Sequence, residues 1–296
     1  MTILCVDVGG SYIKWGIIDD KYQILISHRV ATPKNNIEEF IDIIEKIYQE
    51  QSHYDIQGIG FSLPGTMDTT TGHILHGGSI RYFDNVNFFE KFSHFHLNIT
   101  IENDARCALI AEKELGTLKD VTNGLVFILG TGVGGGILIN NQVYRGANLY
   151  AGEFSLIKPS GATNNTFLGN ELSIPGLVGK VKNKLSLKSL SGEEMMTLIQ
   201  KGNEETLEIY DAFIKRLVDS LISLQFIFAP EKIAIGGGIS KNVDFITEVK
   251  KMYYQEISNI PLPVKLPFAE LAVCDFHSDA NLVGAYLTNK YKQTRG

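Results

Sequence analysis

The chain has 296 residues, 44% of them apolar, and its 27 Lys+Arg against 33 Asp+Glu give a formal charge of −6, which is the composition of a globular protein long enough for two domains. That acidic balance offers no basic footprint for a phosphate backbone, so a nucleic-acid partner is not expected, and no apolar run reaches the roughly 20 residues that cross a bilayer. Asp7 interrupts the N-terminal apolar run before a signal-peptide core forms, and Cys5, Cys107 and Cys274 are scattered without CxxC spacing, which suits a soluble protein of the reducing cytoplasm with no membrane partner.

Residues 3–8 form an apolar, β-rich run ending at Gly9-Gly10, and residues 12–18 resume strand character up to Asp19-Asp20, which predicts a strand, a glycine turn and a returning strand. From Asn36 the period changes. Ile37, Phe40, Ile41, Ile44, Ile47 and Tyr48 keep helical spacing, with Asn36 at the N-cap and Glu39 at the capping-box position. A strand over 56–61 runs to Pro64-Gly65, and a further strand over 99–102 meets Asn103-Asp104, where a helix is predicted to begin with Asp104 as its N-cap and to stop at Leu115-Gly116.

Residues 125–129 form a second β-rich run that ends in a glycine-rich turn, Gly130-Thr131-Gly132-Val133-Gly134-Gly135-Gly136, and 137–139 return as a strand to the turn Asn140-Asn141. This repeats the opening theme about 120 residues later, so the chain reads as two halves on one plan. Leu207, Tyr210, Phe213, Ile214, Leu217, Val218, Leu221 and Leu224 mark a long amphipathic helix, followed by a strand over 233–235, Gly236-Gly237-Gly238 and a last helix from about Asp279. The glycine stop sets the expected division: residues 1–116 as a smaller domain and 117–278 as a larger one.

Gly130, Gly132 and Gly135 satisfy G-x-G-x-x-G after a strand, but the dinucleotide fingerprint needs a helix to open at the glycines, and a β-rich segment follows instead. What remains is a hairpin whose bare amides can approach phosphate oxygens closely. Asp7, at the end of the first strand beside Gly9, Gly10 and Ser11 with Lys14 beyond, adds an acid suited to Mg²⁺ and a lysine suited to polyphosphate.

Asp7-Val8-Gly9-Gly10-Ser11 with Lys14, Pro64-Gly65, Glu102-Asn103-Asp104-Ala105, Leu129 through Gly136, Gly152-Glu153 and Ile235 through Gly238 together resemble the ROK sugar kinases, in order and over nearly the whole chain. The resemblance implies the actin/hexokinase-like (ribonuclease H-like) α/β fold of two domains, with ATP and sugar in an interdomain cleft and the final helix, about 279–296, packing back on the smaller domain. It makes Asp104 the general base, and Gly65, Asn103 and Glu153 sugar ligands. It puts Gly9, Gly10, Ser11, Gly130, Thr131, Gly132 and Gly134 near the phosphates, and Gly236, Gly237 and Gly238 near the adenosine. Asp7 is its metal residue. It also suggests a homodimer.

The sequence departs from that family in one stretch. Gly152-Glu153-Phe154-Ser155-Leu156 stands where most members carry Gly-Glu-x-Gly-His before a zinc-binding cysteine cluster, and residues 156–180 hold no cysteine or histidine. No zinc is therefore expected. Glu171 is the candidate for the family's second sugar-binding glutamate. The histidine that the resemblance places near the anomeric end of the sugar is also missing, which leaves room for an aglycone and points to β-glucosides such as cellobiose or gentiobiose alongside hexoses. His94 and His96, and His73 and His76, lack further ligands and read as structural. A sugar-sensing regulator of the same family is the rival, but those carry a helix-turn-helix ahead of the sugar domain, whereas here the first strand starts at residue 3; another actin-like ATPase would lack the sugar-side residues.

Overall fold

The structure is a computed structural model that describes residues 1–159, 166–264 and 266–295. The chain forms two compact α/β units. One comprises Met1–Gly116, Arg145–Ala151 and Ser278–Gly296, the other Thr117–Tyr144 and Gly152–His277.

In the first unit the elements run β1 (Thr2–Val8), β2 (Tyr12–Ile18), β3 (Ile24–Ala31), α1 (Ile37–Glu50), β4 (Ile56–Leu63), β5 (Thr66–Asp68), β6 (His73–His76), β7 (Val86–Asn87), α2 (Phe88–Lys91), β8 (Asn98–Asn103) and α3 (Asp104–Leu115). The main sheet has the order β3-β2-β1-β4-β8, with β1, β2 and β3 antiparallel and β4 and β8 parallel to β1. Parallel strands need a crossover between them, and α1 supplies the one from β3 to β4. Its Ile37, Phe40, Ile44 and Ile47 are buried, and the Asn36 side chain accepts from the Glu39 amide at 2.9 Å, a cap worth about 1 kcal/mol. The expected capping box does not close, because the Glu39 carboxylate accepts from Asn35 Nδ2 at 2.7 Å instead.

Phe40 anchors an aromatic core, with the rings of Phe61, Phe83, Phe88 and Phe92 centred 5.0–6.2 Å from its own. These rings fasten the three-stranded sheet β5-β6-β7 and its loops, which the sequence reading did not anticipate, onto the main sheet.

The second unit contains β9 (Gly124–Leu129), β10 (Val133–Ile139), β11 (Gln142–Tyr144), α4 (Leu168–Glu171), α5 (Ile174–Lys184), α6 (Gly192–Gln200), α7 (Glu204–Phe228), β12 (Lys232–Gly236), α8 (Val243–Ser258) and β13 (Glu270–Val273). Its sheet, β11-β10-β9-β12-β13, matches the first strand for strand, again three antiparallel strands extended by two parallel ones. The repeat read from two glycine turns is therefore a repeat of whole sheets. Asn140 and Asn141, with φ of 50° and 62°, make the tight β10–β11 turn that asparagine tolerates. The amphipathic α7 starts at Glu204, capped by Asn203, and buries Tyr210, Phe213, Ile214, Leu217, Val218, Leu221 and Leu224.

The last helix, α9 (Ala280–Arg295), belongs to the first unit and packs on α3 and on β1, β4 and β8. The approach to α3 is close enough that a Cβ on Gly284 would lie 2.0 Å from the Cys107 carbonyl oxygen. Buried Asn289 donates to the Ile59 and Asn98 carbonyls at 3.0 and 2.8 Å, tying the helix to two strands at once. Among the described residues no helix is long and apolar enough to cross a membrane.

Candidate active site

In the first sheet the strand register does the placing. Asp7 on β1 pairs with Ser62 on β4, Ser62 pairs with Glu102 on β8, and Leu63 pairs with Asn103. Neighbouring strands lie about 4.8 Å apart, so Asp7 and the Glu102-Asn103 corner stand about 10 Å apart at the carboxyl ends of parallel strands, where open α/β sheets bind ligands.

Asp7 is oriented by two donors on one oxygen: Ser62 Oγ at 2.8 Å and Asn281 Nδ2 at 2.9 Å, both to Oδ1. Oδ2 accepts no hydrogen bond among the described residues. Burial raises the carboxyl's pKa, opposed by the Ser62 and Asn281 hydrogen bonds and by Lys14. A hard oxygen held in one orientation with one lone-pair face uncommitted fits Mg²⁺, directly or through water. Neither Ser62 nor Asn281 figured in the sequence reading; 274 residues separate Asn281 from Asp7, and no local pattern signals the contact.

The β1–β2 turn carries Gly9, Gly10 and Ser11, all exposed. The Gly9 amide donates to the Tyr12 carbonyl, and the Gly9 and Ser11 carbonyls accept from the Thr32 hydroxyl and amide at 2.6 and 3.0 Å. Lys14 is anchored by the residues just ahead of the last helix. Its Nζ lies 2.5 Å from Asp279 Oδ1 and donates to the Ser278 carbonyl at 2.9 Å, so its charge is already engaged just ahead of α9.

Asn103, not Asp104, caps α3. Its Oδ1 accepts from the Arg106 amide at 3.2 Å and its Nδ2 donates to the Gly65 carbonyl at 3.1 Å. Asp104 is the first helical residue, with Oδ1 accepting from the Ala105 amide at 2.7 Å. The sequence reading erred by one residue because Asn and Asp cap about equally well and stand side by side. Gly65 has φ of 92°, and a Cβ there would lie 2.0 Å from the His76 carbonyl oxygen, so no other residue fits beneath the β6 hairpin.

Glu102 opens the Glu102-Asn103-Asp104-Ala105 motif. It is wholly buried; Oε1 accepts from the Asn103 amide at 2.9 Å, Oε2 is paired with Arg145 Nη2, and Arg106 Nη1 lies 3.9 Å away. A buried carboxylate needs such partners, and a glutamate directly after the β-rich run Ile99-Thr100-Ile101 was the available signal. Cys107 beneath it has its thiol pKa pushed up, chiefly by burial and further by the charges of Glu102, Asp7 and Asp104. All three cysteines are buried, and none of them is in a disulfide.

In the second unit the glycines sort into two kinds. A Cβ on Gly130, Gly132 or Gly238 would meet nothing within 4 Å, whereas one on Gly237 would lie 1.9 Å from the Leu129 carbonyl oxygen and one on Gly236 2.5 Å from Ile128 Cδ1. Thus Gly236 and Gly237 are packed against the end of β9, while Thr131 is exposed and Gly134 sits in β10 opposite Ile128. The Gly130 amide donates to the Gly132 carbonyl at 3.0 Å, which closes the turn on itself.

Gly152 rests on Gly135 and leads into Glu153, which precedes a helical turn anchored by buried Phe154 stacked on Phe127 at 5.6 Å. Glu171 ends α4 with its carboxylate 3.6 Å from Lys180 Nζ. No group of three or more His, Cys, Asp or Glu that could hold a metal occurs among the described residues; within 156–180, residues 160–165 lie outside them. His94 pairs with Glu45 at 2.8 Å and His76 with Asp84 at 3.0 Å.

The sequence model of the ROK family matches residues 3–290. A beta-glucoside kinase of Listeria innocua is 32% identical over 257 residues, 84% of this chain and 87% of that protein. A ROK family protein from Streptococcus pneumoniae TIGR4, solved in complex with sucrose, is 28% identical with a TM-score of 0.88 and covers 100% of both chains. A ROK family glucokinase from Streptomyces griseus, in complex with glucose and AMPPNP, shares the fold at 22% identity, with a TM-score of 0.83 over 98% of this chain and 100% of that one. The actin/hexokinase-like α/β fold expected from the sequence is the fold of these neighbours. With the motifs in order and the match running almost end to end, the chain belongs to the ROK family.

Proposed function

We propose that this chain is a sugar kinase that transfers the γ-phosphoryl group of ATP to the 6-hydroxyl of a β-glucoside or hexose, with Asp104 as general base. The observation that carries the reading is the row Asp7, Ser62, Glu102 and Asn103-Asp104 at the carboxyl edge of one sheet, which sets a metal-suited carboxylate about two strands from a carboxylate fixed at a helix start. The Listeria innocua relative supports a β-glucoside acceptor, and sucrose in the Streptococcus pneumoniae structure supports room for a second ring.

In this reading the exposed Gly9-Gly10-Ser11 turn and the open Gly130 to Gly134 turn hold the phosphates, Lys14 assists, and Gly236 to Gly238 border the adenosine. Asn103, Glu153 and Glu171 hold sugar hydroxyls, and Gly65 lets the ring approach the backbone. Mg²⁺, when bound at Asp7, neutralises phosphate charge. The Ala105 amide fixes one oxygen of Asp104 at a helix start, where the dipole interacts favourably with a carboxylate. Asp104 takes the proton of the attacking hydroxyl as the new O–P bond forms and the bond to ADP breaks, assistance worth about 10²–10⁴-fold. The three buried thiols and the ATP requirement suit the cytoplasm.

A coupled assay with ATP and Mg²⁺ over glucose, cellobiose and gentiobiose tests the proposal, with ³¹P–¹H correlation locating the phosphate. ADP release that depends on sugar, with phosphate on O6, is expected. ATP hydrolysis indifferent to every sugar would overturn it.

A further inference from the structure

The segment Arg145–Ala151 lies between two stretches of the second unit, yet belongs to the first. Buried charges pin it there. Arg145 is paired with wholly buried Glu102, and Arg106, only 1% exposed, donates from one nitrogen, Nη2, to the Leu149 carbonyl at 2.6 Å and the Ala151 carbonyl at 3.1 Å. Those two carbonyls flank Tyr150, and Arg106 sits in the first turn of the helix that Asp104 opens.

Leu149 is held at φ 65°, a conformation that costs a branched residue energy and persists only where its surroundings enforce it. Tyr150 beside it is 51% exposed. A tyrosine on a surface loop ordinarily gains little from being ordered; this one has its backbone clamped on both sides by a guanidinium that cannot lose its charge.

From this we infer that Tyr150 is a specificity-determining residue, a stacking platform for the part of a β-glucoside beyond the phosphorylated ring. The inference rests on the kinase reading above. Pyranose C–H faces carry partial positive charge and lie well on the negative face of an aromatic ring, and a rigid tyrosine offers that area at small entropic cost. Arg106 reaches the strap from the turn that begins at Asp104, so the backbone on either side of Tyr150 is held about one arginine side chain from the helix that carries the proposed base. The aglycone chemistry this fits is a second sugar ring or an aryl group.

The test compares steady-state kinetics of wild type, Tyr150→Ala and Tyr150→Phe on cellobiose and on glucose. Because Tyr150 is exposed, both variants are expected to melt with wild type. Tyr150→Ala should raise KM for cellobiose roughly tenfold, leave kcat for both sugars and KM for glucose within about twofold, and Tyr150→Phe should restore wild-type values. An unchanged cellobiose KM, or equal shifts on both sugars, overturns the platform while wild-type turnover of cellobiose keeps the kinase reading intact. Wild-type activity on glucose alone removes the aglycone site, and no sugar-dependent activity at all removes the kinase reading with it.

Discussion

The Oδ1 of Asn103 lies 3.2 Å from the amide of Arg106 and caps the helix that Asp104 merely begins. Stability and chemistry are therefore divided between adjacent residues. Asp104→Asn is expected to lower kcat about 10²–10⁴-fold while leaving the Asn103 cap in place. Asn103→Ala should cost about 1 kcal/mol as a lost cap and also release the Gly65 carbonyl, raising KM for sugar. Thermal melts beside the coupled assay separate the two, and a large melting loss in Asp104→Asn with turnover preserved would reverse the assignment.

Lys14 and Asp279 form a close pair in which both side chains keep some solvent exposure, so the pair contributes at most about 1 kcal/mol. If the lysine serves phosphate, Asp279 competes with ATP for it. Lys14→Met should then raise KM for ATP several-fold with little loss of melting temperature, and Asp279→Asn should lower that KM. A higher KM for ATP in Asp279→Asn would show the pair to be a structural tie.

Much of this architecture was legible because local signals and fold agree. The apolar run closed by Gly9-Gly10 and the run closed by Gly130 each became the first strand of a sheet, and Ile37 to Ile47 became the helix their spacing required. Long-range pairings left no trace in local pattern. Asn281 on Asp7, Asp279 on Lys14 and Arg106 on the 149–151 carbonyls join residues between 43 and 274 positions apart. The β5-β6-β7 sheet was unread because strands of two to four residues are too short to show a period of two.

Glycines that look alike in sequence should answer differently to alanine. Gly132→Ala places its methyl in open space, so the melting temperature should hold while KM for ATP rises about tenfold, because the methyl occupies the face proposed for phosphate. Gly237→Ala must adopt φ of 92° with a Cβ 1.9 Å from the Leu129 carbonyl oxygen, and should lose more than about 2 kcal/mol or fail to accumulate. Equal melting temperatures for the two variants would contradict the division.

The Asp84 carboxylate accepts from the Gly77 amide at 2.7 Å and contacts His76 Nδ1 at 3.0 Å, and the Gly77 bond foremost, with His76 next, holds its pKa below the usual aspartate value. Because the folded state binds this proton more weakly than the unfolded chain, the contribution to stability is complete above the unfolded value of about 3.9 and disappears as pH falls through the lower folded value. Asp84→Asn is therefore expected to melt below wild type at pH 7, with the gap closing as pH drops below about 4. The same hairpin supports Gly65, whose Cβ position lies 2.6 Å from the Gly78 nitrogen, so the variant should also raise KM for sugar and not for ATP. Melting curves from pH 3 to 8 for both proteins decide the first point. A gap that stays constant across that range would mean that the charge on Asp84 contributes nothing and that only the shape of the turn matters.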